Sequence, residues 1–273
     1  MAWFWLLFAN VALFGLVRYT ARSREAKQTK GVNWDGYDAV LVTVAIYLLS
    51  QLIAGISFGL VIAVQGGSNG LSEQLGSSIT TQFFYILLVE ALTLGSLHYL
   101  LKLRGNGLKM LGLTKPDWND LSYTLLGLAM YLPLLLVTLQ LVNVFLPQVN
   151  LDQQQDIGFS DVSGALQLGL VFVSLVILPP VTEEILARGF LYLGLKKHLK
   201  KIYAVLITSL LFAIAHLQFG SGNPPLWTAA IDTFLLSLVL IYIRDKTGKL
   251  WAPIGLHVLK NYIAFMALFV FKL

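Results

Sequence analysis

Apolar residues in this chain run in long stretches separated by short polar segments. Eight such runs lie near residues 2–17, 38–65, 80–101, 121–147, 164–195, 203–219, 225–243 and 251–271. Most are long enough to cross a bilayer as a helix, which takes about 20 residues. The fifth, at 32 residues, is too long for one straight crossing; at about 1.5 Å per residue it would reach roughly 48 Å. Pro179 and Pro180 stand inside it, and proline removes a helical donor and crowds the preceding turn. The pattern predicts a helix, a break, and a second helix that starts just before Glu183. The fold class expected is all-α: a polytopic integral membrane protein of about eight transmembrane helices with an intramembrane polar cavity. Residues 1–273 form a single membrane domain, with no internal repeat, low-complexity tract or linker for a second one.

The segments between the runs set an orientation. Basic residues fill alternate connections: Arg18 to Lys30, Lys102 to Lys115, Lys196 to Lys201, and Arg244 to Lys249. The intervening connections carry no Lys or Arg, and the fourth holds Asp152, Asp156 and Asp161. Sixteen of nineteen basic residues therefore fall in alternate loops, which the positive-inside rule places in the cytoplasm. Eight spans then leave both termini outside. Trp3, Trp5, Trp34, Trp118, Trp227 and Trp251 lie near span ends, as an aromatic belt requires. Residues 1–17 lack a basic leader before the apolar run, which argues against a cleaved signal peptide.

Composition agrees. The chain is 57% hydrophobic and 12% charged, against about 25% charged in soluble domains, and its mean hydropathy is +0.74. It has no cysteine, so disulfides, thiolate catalysis and thiolate metal sites are excluded. The net charge of +5 sits in short clusters that topology explains better than nucleic-acid binding.

Ionisable groups inside a bilayer are costly, and are usually functional or paired. Here they are Glu90, Glu183, Glu184, Arg188, His216, Asp232, His257 and Lys260, with Asn261 as a polar neighbour. Glu184 and Arg188 are four apart, share a helix face and can pair. Glu183 points about 100° away, with no cation three or four residues along. A carboxylate left in that state can serve as a general base near neutral pH. His257 and Asn261 are also four apart, and such a pair can donate two hydrogen bonds to a developing oxyanion. Counted from the nearest basic loop, Glu183, His216 and Asn261 lie 13, 15 and 12 residues in, or roughly 18–22 Å. Three segments thus bring polar groups to one depth, which predicts a shared, water-accessible cavity. Glu90 is read as a helix contact or cavity-lining group. Asp232 is expected at the outer interface, and Lys260 facing the cavity or an acid such as Glu90 or Asp232.

Carboxylates, two imidazoles and an amide, with no serine or cysteine nucleophile, fit hydrolysis by an activated water. Glu183 would take the proton, His216 would help position the water, and His257 and Asn261 would stabilise the oxyanion. Glu183, His216 and His257 are also a set that zinc accepts, although the HExxH helix pattern is missing. Both readings stay open on the residues alone.

Three motifs carry a resemblance. Glu183-Glu184-x-x-x-Arg188, Phe212-x-x-x-His216 and His257-x-x-x-Asn261 resemble those of the CPBP family of intramembrane proteases, which groups CAAX prenyl endopeptidases with bacterial Abi-type proteins. The resemblance covers residues 164–271. It implies an eight-helix membrane fold with a site open to the cytoplasm. It also implies Glu183 as base assisted by His216, His257 and Asn261 at the oxyanion, and Glu184 and Arg188 in support. Of the two chemistries, the metal-free, glutamic one is preferred, with a divalent metal such as zinc as the alternative. Expected substrates are membrane-embedded or membrane-associated peptides or protein termini, lipidated ones included. The expected location is a bacterial plasma membrane or an organelle of bacterial descent. The competing classes are a non-catalytic membrane partner, such as an immunity or scaffold protein, and a transporter. A transporter would need internal pseudo-symmetry.

Overall fold

A computed structural model describes residues 32–64, 76, 78–153, 157–159, 161–217 and 225–272, and among these no strand occurs. The first predicted span, 2–17, lies outside the described residues. The other seven runs each form a helix: α1 (Gly36–Val64), α2 (Ile79–Leu103), α3 (Trp118–Phe145), α4 (Gly164–His198), α5 (Lys201–Ala215), α6 (Trp227–Thr247) and α7 (Trp251–Phe271). Six are long and apolar enough to cross a membrane, and α5 is shorter. The chain is a polytopic, all-helical membrane protein.

Two elements differ from the pattern. The fifth run does not break at its prolines: α4 continues through them over 35 residues. A π turn at Val173–Ile177 precedes Pro179 and Pro180, which then occupy the opening turn of the next α-helical segment. Proline removes a helical donor and crowds the preceding turn, and the widened π turn before it makes room for both. A second π turn, Ile185–Leu191, follows Glu184 directly. The glutamates thus sit on a short α-helical segment between two widened turns, a feature common at functional sites. The second difference is α5, whose 15 residues end with His216 as the C-cap. At roughly 22 Å it stops short of a full crossing. That places His216 on a helix end, where irregular backbone at membrane depth is tolerated if it lines a cavity.

The three basic connections within the described residues, around 102–115, 196–201 and 244–249, meet at one end of the bundle. Arg104 pairs with Asp38 at 3.1 Å, and Lys196 and Lys201 both pair with Asp245, at 2.6 and 2.7 Å. Arg244 donates to the Leu111 carbonyl at 3.0 Å. Trp34 belongs to this end but not to an aromatic belt. It is fully buried, stacks on Phe190 at 4.8 Å between centroids, and donates its indole N–H to the Phe190 carbonyl. Gly194 makes room for it: a Cβ there would lie 2.7 Å from the indole. Trp118, Trp227 and Trp251 are exposed, as belt residues would be. Trp3 and Trp5 lie outside the described residues. At the opposite end, Gln153 accepts from the Trp227 N–H at 3.0 Å and donates to the Pro225 carbonyl at 3.1 Å, tying the 147–163 connection to the start of α6.

Small residues set the crossing of α3 and α7. A Cβ at Gly255 would lie 2.6 Å from Thr124 Oγ1, and that hydroxyl is hydrogen-bonded to the Asp120 and Ala252 carbonyls. Close approach over small residues is how helices associate where lipid removes the hydrophobic driving force. It fixes α7 two residues before His257.

Candidate active site

Glu184 is the centre of the arrangement. It is fully buried, and its Oε1 accepts from Arg188 Nη1 at 2.9 Å and meets His257 Nδ1 at the same distance. Charges removed from water at that depth persist only when paired and hydrogen-bonded. Arg188, also fully buried, holds its guanidinium carbon 4.1 Å from the centroid of the Phe212 ring. Cation–π attraction of this kind strengthens with desolvation. The same ring contacts His216 at 4.7 Å and the edge of His257 at 6.0 Å between centroids. Phe212 therefore joins α4, α5 and α7 beneath the polar groups.

His257 bridges the two glutamates. With Nδ1 on Glu184, its Nε2 lies 3.9 Å from Glu183 Oε2. Glu183 differs from its neighbour as the spacing predicts. Its side chain is 30% exposed, and Oε2 has no hydrogen-bond partner. Glu90 of α2 lies beside Thr182 and in electrostatic reach of Glu183. On α1, Tyr47 lies beside Gln51, with its hydroxyl in electrostatic reach of Glu183 and Glu90. Glu90 is thus both a helix contact and a neighbour of the carboxylate pair.

His216 Nδ1 lies 2.7 Å from the Phe212 carbonyl. This contact makes Nδ1 the protonated nitrogen and leaves Nε2 as the acceptor of the neutral ring. Asn261 does not pair with His257. Its amide donates at 2.9 Å to the Leu175 carbonyl, inside the first π turn, where the ordinary helical ladder is interrupted. Asp232 is doubly held: Lys260 Nζ meets its Oδ2 at 2.9 Å, and the Tyr131 hydroxyl donates to its Oδ1. The Lys260–Asp232 pairing expected from sequence is therefore present, because each supplies the charge that the other lacks in a low-dielectric setting.

All seven motif residues, Glu183, Glu184, Arg188, Phe212, His216, His257 and Asn261, belong to one neighbourhood built by α4, α5 and α7. The roles of Tyr131 and the Leu175 carbonyl carried no sequence signal. Among the described residues no group of three His, Cys, Asp or Glu side chains is placed to hold a metal ion, Glu183, His216 and His257 included.

Residues 165–263 match the family model described as type II CAAX prenyl endopeptidase Rce1-like. The matched segment contains all three motifs and runs from α4 into α7, so the resemblance read from spacing is borne out there. No curated protein and no solved structure matches the chain.

Proposed function

We propose that this protein is an intramembrane endopeptidase that hydrolyses peptide bonds of membrane-associated peptides or protein termini by a glutamate-activated water. The observation that carries the reading is the division of labour between adjacent carboxylates. Glu184 is consumed by Arg188 and His257, whereas Glu183 is partly exposed, carries no salt bridge to Lys or Arg among the described residues, and lies beside His257. Glu183 takes a proton from water as the oxygen attacks the carbonyl carbon. It returns that proton to the amide nitrogen as the C–N bond breaks, releasing an acid and an amine. His216 Nε2, the ring's free acceptor, helps orient the water. His257 and Asn261, one turn apart on α7, flank the carbonyl oxygen. The cavity opens to the cytoplasmic side, where the basic connections lie, and the setting is a bacterial plasma membrane or one of bacterial descent.

The donor set favours the metal-free chemistry over zinc. Both nitrogens of His257 face carboxylates and Nδ1 of His216 is tied to a backbone carbonyl. Activity that survives a strong chelator supports this; loss restored by zinc returns the metal reading.

The experiment compares new peptide termini, by mass spectrometry, in membranes holding wild type or Glu183→Gln at matched levels. Termini made only by wild type identify a protease and its substrates. Identical termini in both assign the protein to the non-catalytic membrane partners instead.

A further inference from the structure

The oxyanion needs positive charge, and its two expected donors are largely committed elsewhere. His257 gives Nδ1 to Glu184 and turns Nε2 toward Glu183. Asn261 donates to the Leu175 carbonyl, leaving one N–H of a neutral amide. Arg188 is fully buried, bonded to Glu184 and stacked under Phe212. One further cation stands in this neighbourhood. Lys260 lies on α7 between His257 and Asn261, its side chain 25% exposed, in electrostatic reach of both Glu183 and His216.

An ammonium at mid-span has a large desolvation cost, and helices can be tied together without one. This one is held at 2.9 Å by Asp232 of α6, which the Tyr131 hydroxyl of α3 holds from its other oxygen. Three helices therefore fix the position of a single partly exposed cation at the edge of the site. Asp232 is itself 21% exposed, so neither member of the pair is fully buried. Fixed charge in a water-poor cavity stabilises a developing anion without reorganisation, and removing one such donor typically costs about 10²–10³ in rate.

We propose that Lys260 is a further catalytic residue, the cation that stabilises the tetrahedral oxyanion, and that Asp232 and Tyr131 are its positioning residues. This rests on the protease reading above. The ammonium keeps its protons; it gains an anionic partner as the carbonyl oxygen becomes negative, and loses it when the carbonyl re-forms.

The test uses the full chain in liposomes, a membrane peptide carrying a cut site found with wild type, and two inhibitors of that sequence. One is a phosphinate, a tetrahedral anion; the other is a neutral reduced amide. Wild type is expected to bind the phosphinate more tightly. In Lys260→Met, kcat falls about 10²-fold with KM little changed, and phosphinate affinity falls in parallel while reduced-amide affinity holds. Lys260→Arg recovers part of both. Because Lys260→Met orphans Asp232, the double variant Lys260→Met/Asp232→Leu, which leaves no unpaired charge, is measured beside it. A double variant within about threefold of wild-type kcat overturns the proposal, since a supplied donor is worth far more. So does a wild type that binds the phosphinate no better than the reduced amide. Termini that are lost in Glu183→Gln but kept in the Lys260 variants leave the protease standing and remove only Lys260.

Discussion

Nδ1 of His257 stands 2.9 Å from Oε1 of Glu184, the same oxygen that accepts from Arg188 at 2.9 Å. One buried carboxylate oxygen thus holds an arginine four residues along its own helix and a histidine on another helix. It fixes which imidazole nitrogen faces Glu183. The two glutamates should therefore fail in different ways. Glu184→Ala leaves Arg188 buried and unpaired, which costs about 3–5 kcal/mol, so thermal unfolding in detergent should drop sharply. Glu183→Gln keeps shape and polarity at a partly exposed position, and should unfold within a few degrees of wild type while losing cleavage. Equal unfolding temperatures for the two variants would contradict this assignment.

Phe212 is expected to matter through its ring face. The Arg188 guanidinium lies 4.1 Å from the ring centroid, a contact worth about 2 kcal/mol when desolvated. Phe212→Leu keeps apolar bulk but removes the quadrupole, and should lower stability by about 2–3 kcal/mol. Phe212→Trp offers a better cation partner but more volume. A loss in the Leu variant no larger than that of an ordinary apolar swap, below about 1.5 kcal/mol, would reduce the ring to packing.

The pattern of apolar runs located seven helices, because burial in lipid imposes one requirement, about 20 apolar residues, that composition shows directly. It placed Glu184 on Arg188 because four-residue spacing on a helix is a local rule. It did not show where the helical ladder departs from that rule. The π turns on either side of Glu184 and the end of α5 at His216 change hydrogen bonding without changing the apolar pattern. Proline at 179 and 180 therefore read as a break, when the widened turn before it absorbs the missing donors. Trp34 read as an interface anchor from its position near a span end. Its burial depends on Gly194, 160 residues away, a distance over which spacing says nothing. The same holds for Tyr131, whose partner Asp232 lies on another helix.

The start of α3 offers a pH-dependent test away from the membrane interior. Asp117 caps the helix, accepting from the Asn119 and Asp120 N–H groups, and pairs with Lys249 before α7. The hydrogen bond from Lys249 is the largest influence holding the Asp117 carboxyl below its ordinary value of 3.8, and the same bond raises Lys249 above 10.5. A depressed carboxyl contributes stability that is present above its unfolded value and is lost as pH falls through its folded value. A raised lysine contributes below its unfolded value and loses the contribution as pH rises through its folded one. The unfolding-temperature difference between wild type and Asp117→Ala should therefore be constant from about pH 5 to 9 and shrink below about pH 4. A difference that widens on acidification would have the wrong sign for this pair.

Gly255 tests how far the site depends on one helix crossing. A Cβ there would meet Thr124 Oγ1 at 2.6 Å and Cγ2 at 3.3 Å, so Gly255→Ala must push α7 away from α3. His257 is two residues further along, and its 2.9 Å contact with Glu184 has little slack. Overpacking of this kind costs about 1–3 kcal/mol, while misplacing a reacting group by 1 Å can cost about 10²-fold in rate. Gly255→Ala should therefore reduce cleavage far more than it reduces stability. Thr124→Ala removes both offending atoms and leaves Cβ 3.5 Å from the new methyl, an ordinary contact. The double variant Gly255→Ala/Thr124→Ala should recover most of the activity, even though Thr124→Ala alone removes a hydroxyl bonded to the Ala252 carbonyl. Recovery would show that the crossing distance between α3 and α7 sets the position of His257. A double variant as slow as Gly255→Ala would mean that glycine acts at this position through backbone freedom rather than through space.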